Sequence, residues 1–224
     1  MNRPATIISA VATALACAAL VYFLRVGWLQ AAAAAKFLAS CGFLATAISA
    51  GALRHGFGRI IFAGLMLSMS GDMLLVGQTQ RHFLLGLTSF LLAHIAYISA
   101  FFVHGIRGKW AAVAAVPVLF ATYFVMLWLE PHLADELTIP VHAYIGVICI
   151  MVVTAFGARG AGASSLIVVG AVLFFVSDLS VAAQRIVIVD FPTVIWGLPL
   201  YYAGQLCLAI GSSQSLSQRG TPAK

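Results

Sequence analysis

Apolar runs of about twenty residues, cut by short charged or turn-rich breaks, follow one another along the whole chain. Eight runs stand out, at residues 5–24, 28–53, 60–77, 83–104, 110–129, 139–156, 166–189 and 193–212. The breaks are 25–27, 54–59, 78–82, 105–109, 130–138, 157–165 and 190–192. Twenty helical residues rise about 30 Å, the thickness of the hydrocarbon core of a bilayer. Each run therefore reads as a membrane-spanning helix, and breaks this short predict antiparallel neighbours. The expected fold is an all-α integral membrane protein, a bundle of eight transmembrane helices. Residues 1–212 are expected to form one transmembrane domain, and residues 213–224 a polar cytoplasmic tail. The first run has the look of a signal peptide. It is kept as a span because the loop charges alternate only when it is counted.

Composition supports the same class. The chain is 62% hydrophobic and only 8% charged, against about 25% charge in soluble domains. Its net charge of +6 need not mean nucleic acid, because the basic residues sit mainly in the breaks. Arg3, Arg54, Arg59, Arg107, Lys109, Arg159, Arg219 and Lys224 fall on one side of the bundle. Arg25, Arg81 and Arg185 fall on the other. Cytoplasmic loops are enriched in Lys and Arg, so both termini are expected in the cytoplasm. Cys17, Cys41, Cys149 and Cys207 lie singly in apolar runs. None has metal or redox spacing, and they read as small core residues.

Two acids break the pattern. Asp72 lies in GLMLSMSGDMLLV and Asp178 in GAVLFFVSDLSVA, each eight positions after a glycine. An ionised aspartate at a helix centre costs about 2.5–3.5 kcal/mol even on the lenient insertion scale. Both helices run outward, and both acids fall between the midplane and the outer surface. The early residues of the inward-running helices share that layer. Lys36, His94, His142, Tyr144, Tyr201, Tyr202 and Gln205 are at that depth. Such a layer is what a buried polar cavity produces. The matching Gly–Asp segments lie four spans apart, which fits a parallel duplication of four plus four helices. No histidine spacing suggests a metal cluster, and no metal or other cofactor is expected. Two carboxyls in one apolar chamber, with a lysine beside one of them, can divide the roles of acid and base.

These residues resemble the YhhN/lysoplasmalogenase family of small multispanning membrane proteins. The resemblance rests on Lys36, SMSGDMLL around Asp72, GLTSFLLAHIAYISAF (residues 86–101), FFVSDLSVA around Asp178 and YYAGQLCLAIG (residues 201–211). One departure is Phe37, where a proline is expected after the lysine. Membership implies hydrolysis of the vinyl ether bond of lysoplasmalogens to a fatty aldehyde and glycerophosphoethanolamine or glycerophosphocholine. The lysophospholipid would be met within the bilayer. The expected setting is a bacterial inner (plasma) membrane.

That reaction needs a neutral acid to protonate the alkene and an anion to stabilise the oxocarbenium ion and activate water. Asp72 and Asp178 are the expected catalytic pair, with Asp178 as acid and Asp72 as base. Tyr201, Tyr202, His94, His142, Tyr144 and Gln205 are expected to position water or substrate. Lys36 is expected to bias the pair or to meet the phosphate. The rival from another class is a small-solute or proton-coupled transporter using the same buried acids. A structural membrane protein with two satisfied acids is the third reading.

Overall fold

In the computed structural model the described residues are 2–217. Eight helices follow in order: α1 (Arg3–Arg25), α2 (Leu29–Ala50), α3 (Gly56–Leu74), α4 (Gln80–His104), α5 (Gly108–Leu129), α6 (Asp135–Gly160), α7 (Ser165–Ala182) and α8 (Val194–Ser217). All eight are long and apolar enough to cross a membrane. A π-helical turn, Ala183–Val187, continues α7. Residues 213–217 of the expected tail belong to α8. The rest of that tail, with Arg219 and Lys224, lies outside the described residues.

Most boundaries fall near the edges of the apolar runs. Beyond the end of α8, the larger departures are α3, running 56–74 instead of 60–77, α6, running 135–160 instead of 139–156, and α7, ending at Ala182 instead of 189. Arg59 sits in the first turn of α3 and turns its Nε back to the Leu53 carbonyl at 2.8 Å. A long cation at a helix end can keep its head in the polar layer, so Arg59 does not break the helix. At the opposite side of that turn Gly51 closes α2 with φ of +100°, a conformation that glycine adopts without penalty.

Sequential helices pack as antiparallel hairpins, α1 on α2, α3 on α4, α5 on α6 and α7 on α8. Between hairpins, α2 packs on α3 and α8, and α6 packs on α7 and α4. Replacing each helix by the one four later reproduces all of these interfaces. α1 and α5, which exchange under that operation, are the two least buried spans. The exceptions are the contacts of α8 with α1 and α3, which have no counterpart of similar extent.

The two glycines of the repeated segments both permit close approach. At Gly170 the α7 backbone meets α8, and an added Cβ would lie 2.8 Å from the Gly204 carbonyl oxygen. At Gly64 the ring of Tyr97 from α4 fills the space instead. Small residues at such crossings are the usual device for packing helices in lipid, where van der Waals contact drives association.

Candidate active site

A cavity of about 650 Å³ opens among the helices. Its walls come from the last turns of the odd-numbered helices and the first turns of the even-numbered ones. It therefore lies at the end of the bundle away from Arg3 and from the end of α8. All eight helices contribute to it, and its charged lining residues are Lys36, Asp72, Asp178 and Arg185.

Asp72 is the seventeenth residue of α3 and is 2% exposed. Its Oδ2 accepts from the Ser40 hydroxyl at 2.7 Å and from the Tyr201 hydroxyl at 2.8 Å. Lys36 Nζ lies 3.5 Å from its Oδ1. Lys36 and Ser40 are one helical turn apart and so share a face of α2. Three donors, one of them cationic, surround a carboxylate that water barely reaches. The cation and the two hydroxyls offset part of the cost of burying a carboxylate there.

Asp178 is the fourteenth residue of α7, and its side chain is 21% exposed. The Tyr144 hydroxyl donates to Asp178 Oδ2 at 2.6 Å. That hydrogen being committed, the Tyr144 oxygen accepts from His94 Nε2 at 2.9 Å. His94 itself is fully buried, and its Nδ1 has no hydrogen-bond partner among the described residues. Asp178 thus accepts one hydrogen bond where three donors surround Asp72, and in place of an ammonium it has His94 Nε2 at 3.9 Å from its Oδ2.

Each acid takes its partners in the same way. Asp72 on α3 is met by α2 and α8; Asp178 on α7 is met by α6 and, through Tyr144, by His94 of α4. Exchanging helices four apart converts one set into the other. An aromatic cluster joins the two environments. Phe174 packs edge-on against Tyr201 at 5.3 Å, Phe90 at 5.9 Å and His94 at 4.6 Å between centroids.

Of the residues singled out in the sequence, Lys36, Asp72, Tyr144, Asp178 and Tyr201 line the cavity. His94 stands one hydrogen bond behind it. Tyr202 lies on the far side of Lys36, donating to its carbonyl at 3.4 Å. Gln205 is buried and accepts from Tyr97 at 3.0 Å. Neither lines the cavity. His142 is exposed, bonded to the Thr138 carbonyl at 2.6 Å and 3.6 Å from Glu130. It lies two residues from Tyr144, on the opposite face of α6, so shared depth does not bring it in. Ser40 and Arg185 were not singled out. Ser40 was legible as the residue one turn after Lys36, whereas Arg185 was counted only in the charge bias of the two faces. Among the described residues no three His, Cys, Asp or Glu side chains cluster as metal ligands.

Residues 31–212, which include every polar residue just described, match the YhhN family. The chain belongs to the YhhN family. This YhhN protein is 37% identical over 155 residues to a protein of Mycobacterium bovis named lysoplasmalogenase. That match covers 65% of this chain and 58% of the mycobacterial protein, less than two thirds of its length. It is 29% and 30% identical over 178 residues to the lysoplasmalogenase TMEM86A proteins of Bos taurus and Homo sapiens, covering 73% of this chain and 72% of each relative. No solved structure matches this YhhN protein.

Proposed function

We propose that this YhhN protein is a membrane-embedded hydrolase that cleaves the vinyl ether bond of lysoplasmalogens. The observation that carries the reading is the unequal setting of two carboxyls lining one cavity. Asp72 is surrounded by Lys36, Ser40 and Tyr201 and acts as the anion. Asp178, more exposed and bonded at Oδ2 by the Tyr144 hydroxyl, takes the role of acid. The names of its relatives support the same substrate class. The Lys and Arg bias of the loops supports a cytoplasmic location for the chain ends, with the cavity at the opposite face of an inner membrane.

The reaction runs in three steps. Asp178 gives its proton to the alkene carbon farther from the ether oxygen, and positive charge develops between the adjacent carbon and that oxygen. Asp72 stabilises that charge and takes a proton from water as the water oxygen bonds to the cationic carbon. The hemiacetal then collapses. Asp72 returns its proton to the glycerol oxygen, Asp178 takes the hemiacetal hydroxyl proton, and the C–O bond breaks to release the aldehyde. Both acids end as they began, with one water consumed.

An apolar groove supports a single-chain substrate. It is lined by Phe124, Trp128, Phe191 and Trp196 and shares Val125, Leu179 and Val189 with the cavity wall. An alkenyl tail fits there, with its vinyl ether end toward the acids. The transporter alternative draws no support from the helices, since none of the eight breaks at its middle.

The test is purified protein with a lysoplasmalogen and its ester-linked analogue, reading free aldehyde by mass spectrometry. Asp72→Asn and Asp178→Asn should each lower aldehyde release about 10²- to 10⁴-fold, with membrane insertion unchanged. Normal turnover by Asp72→Asn would remove the acid–base pair.

A further inference from the structure

We propose that Arg185 binds the phosphodiester of the lysophospholipid headgroup at the mouth of the cavity. The proposal rests on the vinyl ether reading for the position of the reacting atoms. Four charged side chains line the cavity, and they are not equivalent. Lys36 is committed to Asp72, so it does not meet the phosphate. Arg185 has no carboxylate within ion-pair distance among the described residues. Lys36 and Asp72 offset each other, which leaves Arg185 as the uncommitted cation of the lining. That complements one phosphodiester anion.

The geometry holds the guanidinium at this place. Arg185 lies within the π-helical turn Ala183–Val187, and the turn ends at Ile188 in the left-handed region with φ of +58°. A branched residue rarely adopts that conformation, and π turns in helices recur at functional sites. Arg185 Nη2 donates to the Leu75 carbonyl at 3.4 Å, three residues beyond Asp72. That bond steadies the head group of the arginine while most of its five N–H donors remain for a ligand.

The reach is also right. Asp178 and Arg185 are seven residues apart, about 10 Å along a helix. In a lysoplasmalogen seven bonds join the alkene carbon that is protonated to the phosphorus. With bonds of about 1.5 Å they span roughly 9 Å when extended. A substrate with its alkene at Asp178 therefore brings its phosphate to the level of Arg185.

The competing role for Arg185 is structural, as a donor to the end of α3. Two substrates separate the roles: alkenyl glycerophosphoethanolamine, and alkenylglycerol, which lacks the phosphate. Arg185→Gln should raise KM for the phospholipid about 10- to 100-fold, change kcat little, and leave turnover of alkenylglycerol at the wild-type level. Arg185→Lys should recover part of the loss. Equal losses on both substrates would assign Arg185 to structure and overturn the proposal. Binding is read separately by thermal stabilisation with the saturated alkyl analogue, which cannot be cleaved. The shift should vanish in Arg185→Gln and persist in Asp178→Asn. If it does so in a protein that releases no aldehyde, the headgroup site stands and the reaction falls. If aldehyde is released but Arg185→Gln behaves as wild type, the headgroup site falls alone. Equal stabilisation by inorganic phosphate would mark a free-anion site and overturn the lipid assignment.

Discussion

Lys36 Nζ lies 3.5 Å from Oδ1 of Asp72, and both groups are withdrawn from solvent. Removing one member of a buried pair leaves the other uncompensated, at a cost of about 3–5 kcal/mol. Lys36→Met is therefore expected to lower the thermal stability of the purified protein markedly. The double variant Lys36→Met/Asp72→Asn removes both charges and should regain most of that stability, yet release no aldehyde. A double variant as unstable as Lys36→Met would show that the ion pair is not what Lys36 supplies.

Tyr144 stands between His94 and Asp178, so the two bonds act in series. Tyr144→Phe removes the one hydroxyl donor to Asp178 among the described residues and is expected to slow aldehyde release about tenfold or more. His94→Ala should slow it less. Adding His94→Ala to Tyr144→Phe should cost little further, because the histidine acts through the phenol. Multiplicative losses in the double variant would mean that His94 reaches the substrate independently.

His142 pairs with Glu130 outside the cavity. His142→Ala is expected to leave aldehyde release within about twofold of wild type and to change stability by less than about 0.5 kcal/mol, as for an exposed site. A severe loss of turnover would require α6 to present a different face to the cavity.

At Gly170 a Cβ would meet the backbone of α8 rather than a movable side chain. Gly170→Val is expected to cost about 1–3 kcal/mol through overpacking. It should also depress turnover, since α8 carries Tyr201 to Asp72. Gly146→Ala is the control, with open space where its Cβ would lie. It should be neutral or slightly stabilising by thermal denaturation.

The helices were legible because a hydrocarbon layer demands length and apolarity, and both are written in the chain order. Depth was legible for the same reason, and it brought Lys36, Tyr144 and Tyr201 toward the level of the acids. Direction around each helix was not. In water an apolar stripe marks the buried face, but lipid is as apolar as a core, so no stripe separates the two. His142 and Tyr144 show the consequence, equal in depth and opposite in direction. Ser40 went unmarked although it sits a turn from Lys36. Arg185 was assigned to topology because nothing in sequence marks a π-helical turn. The start of α3 was misplaced because Arg59 reads as a break and acts as a helix-end cation.

The exchange of partners between the halves of the bundle makes each half chemically incomplete. A fragment holding only α1–α4 carries Asp72 without Tyr201, and His94 without Tyr144. The complementary fragment carries Asp178 and Tyr201 with neither the lysine nor the serine that meet Asp72. The loop after His104 is thus a natural place to divide the polypeptide into two inert pieces. Coexpressed, those pieces would report on their own reunion, because only the reassembled bundle holds both acids with their full sets of donors.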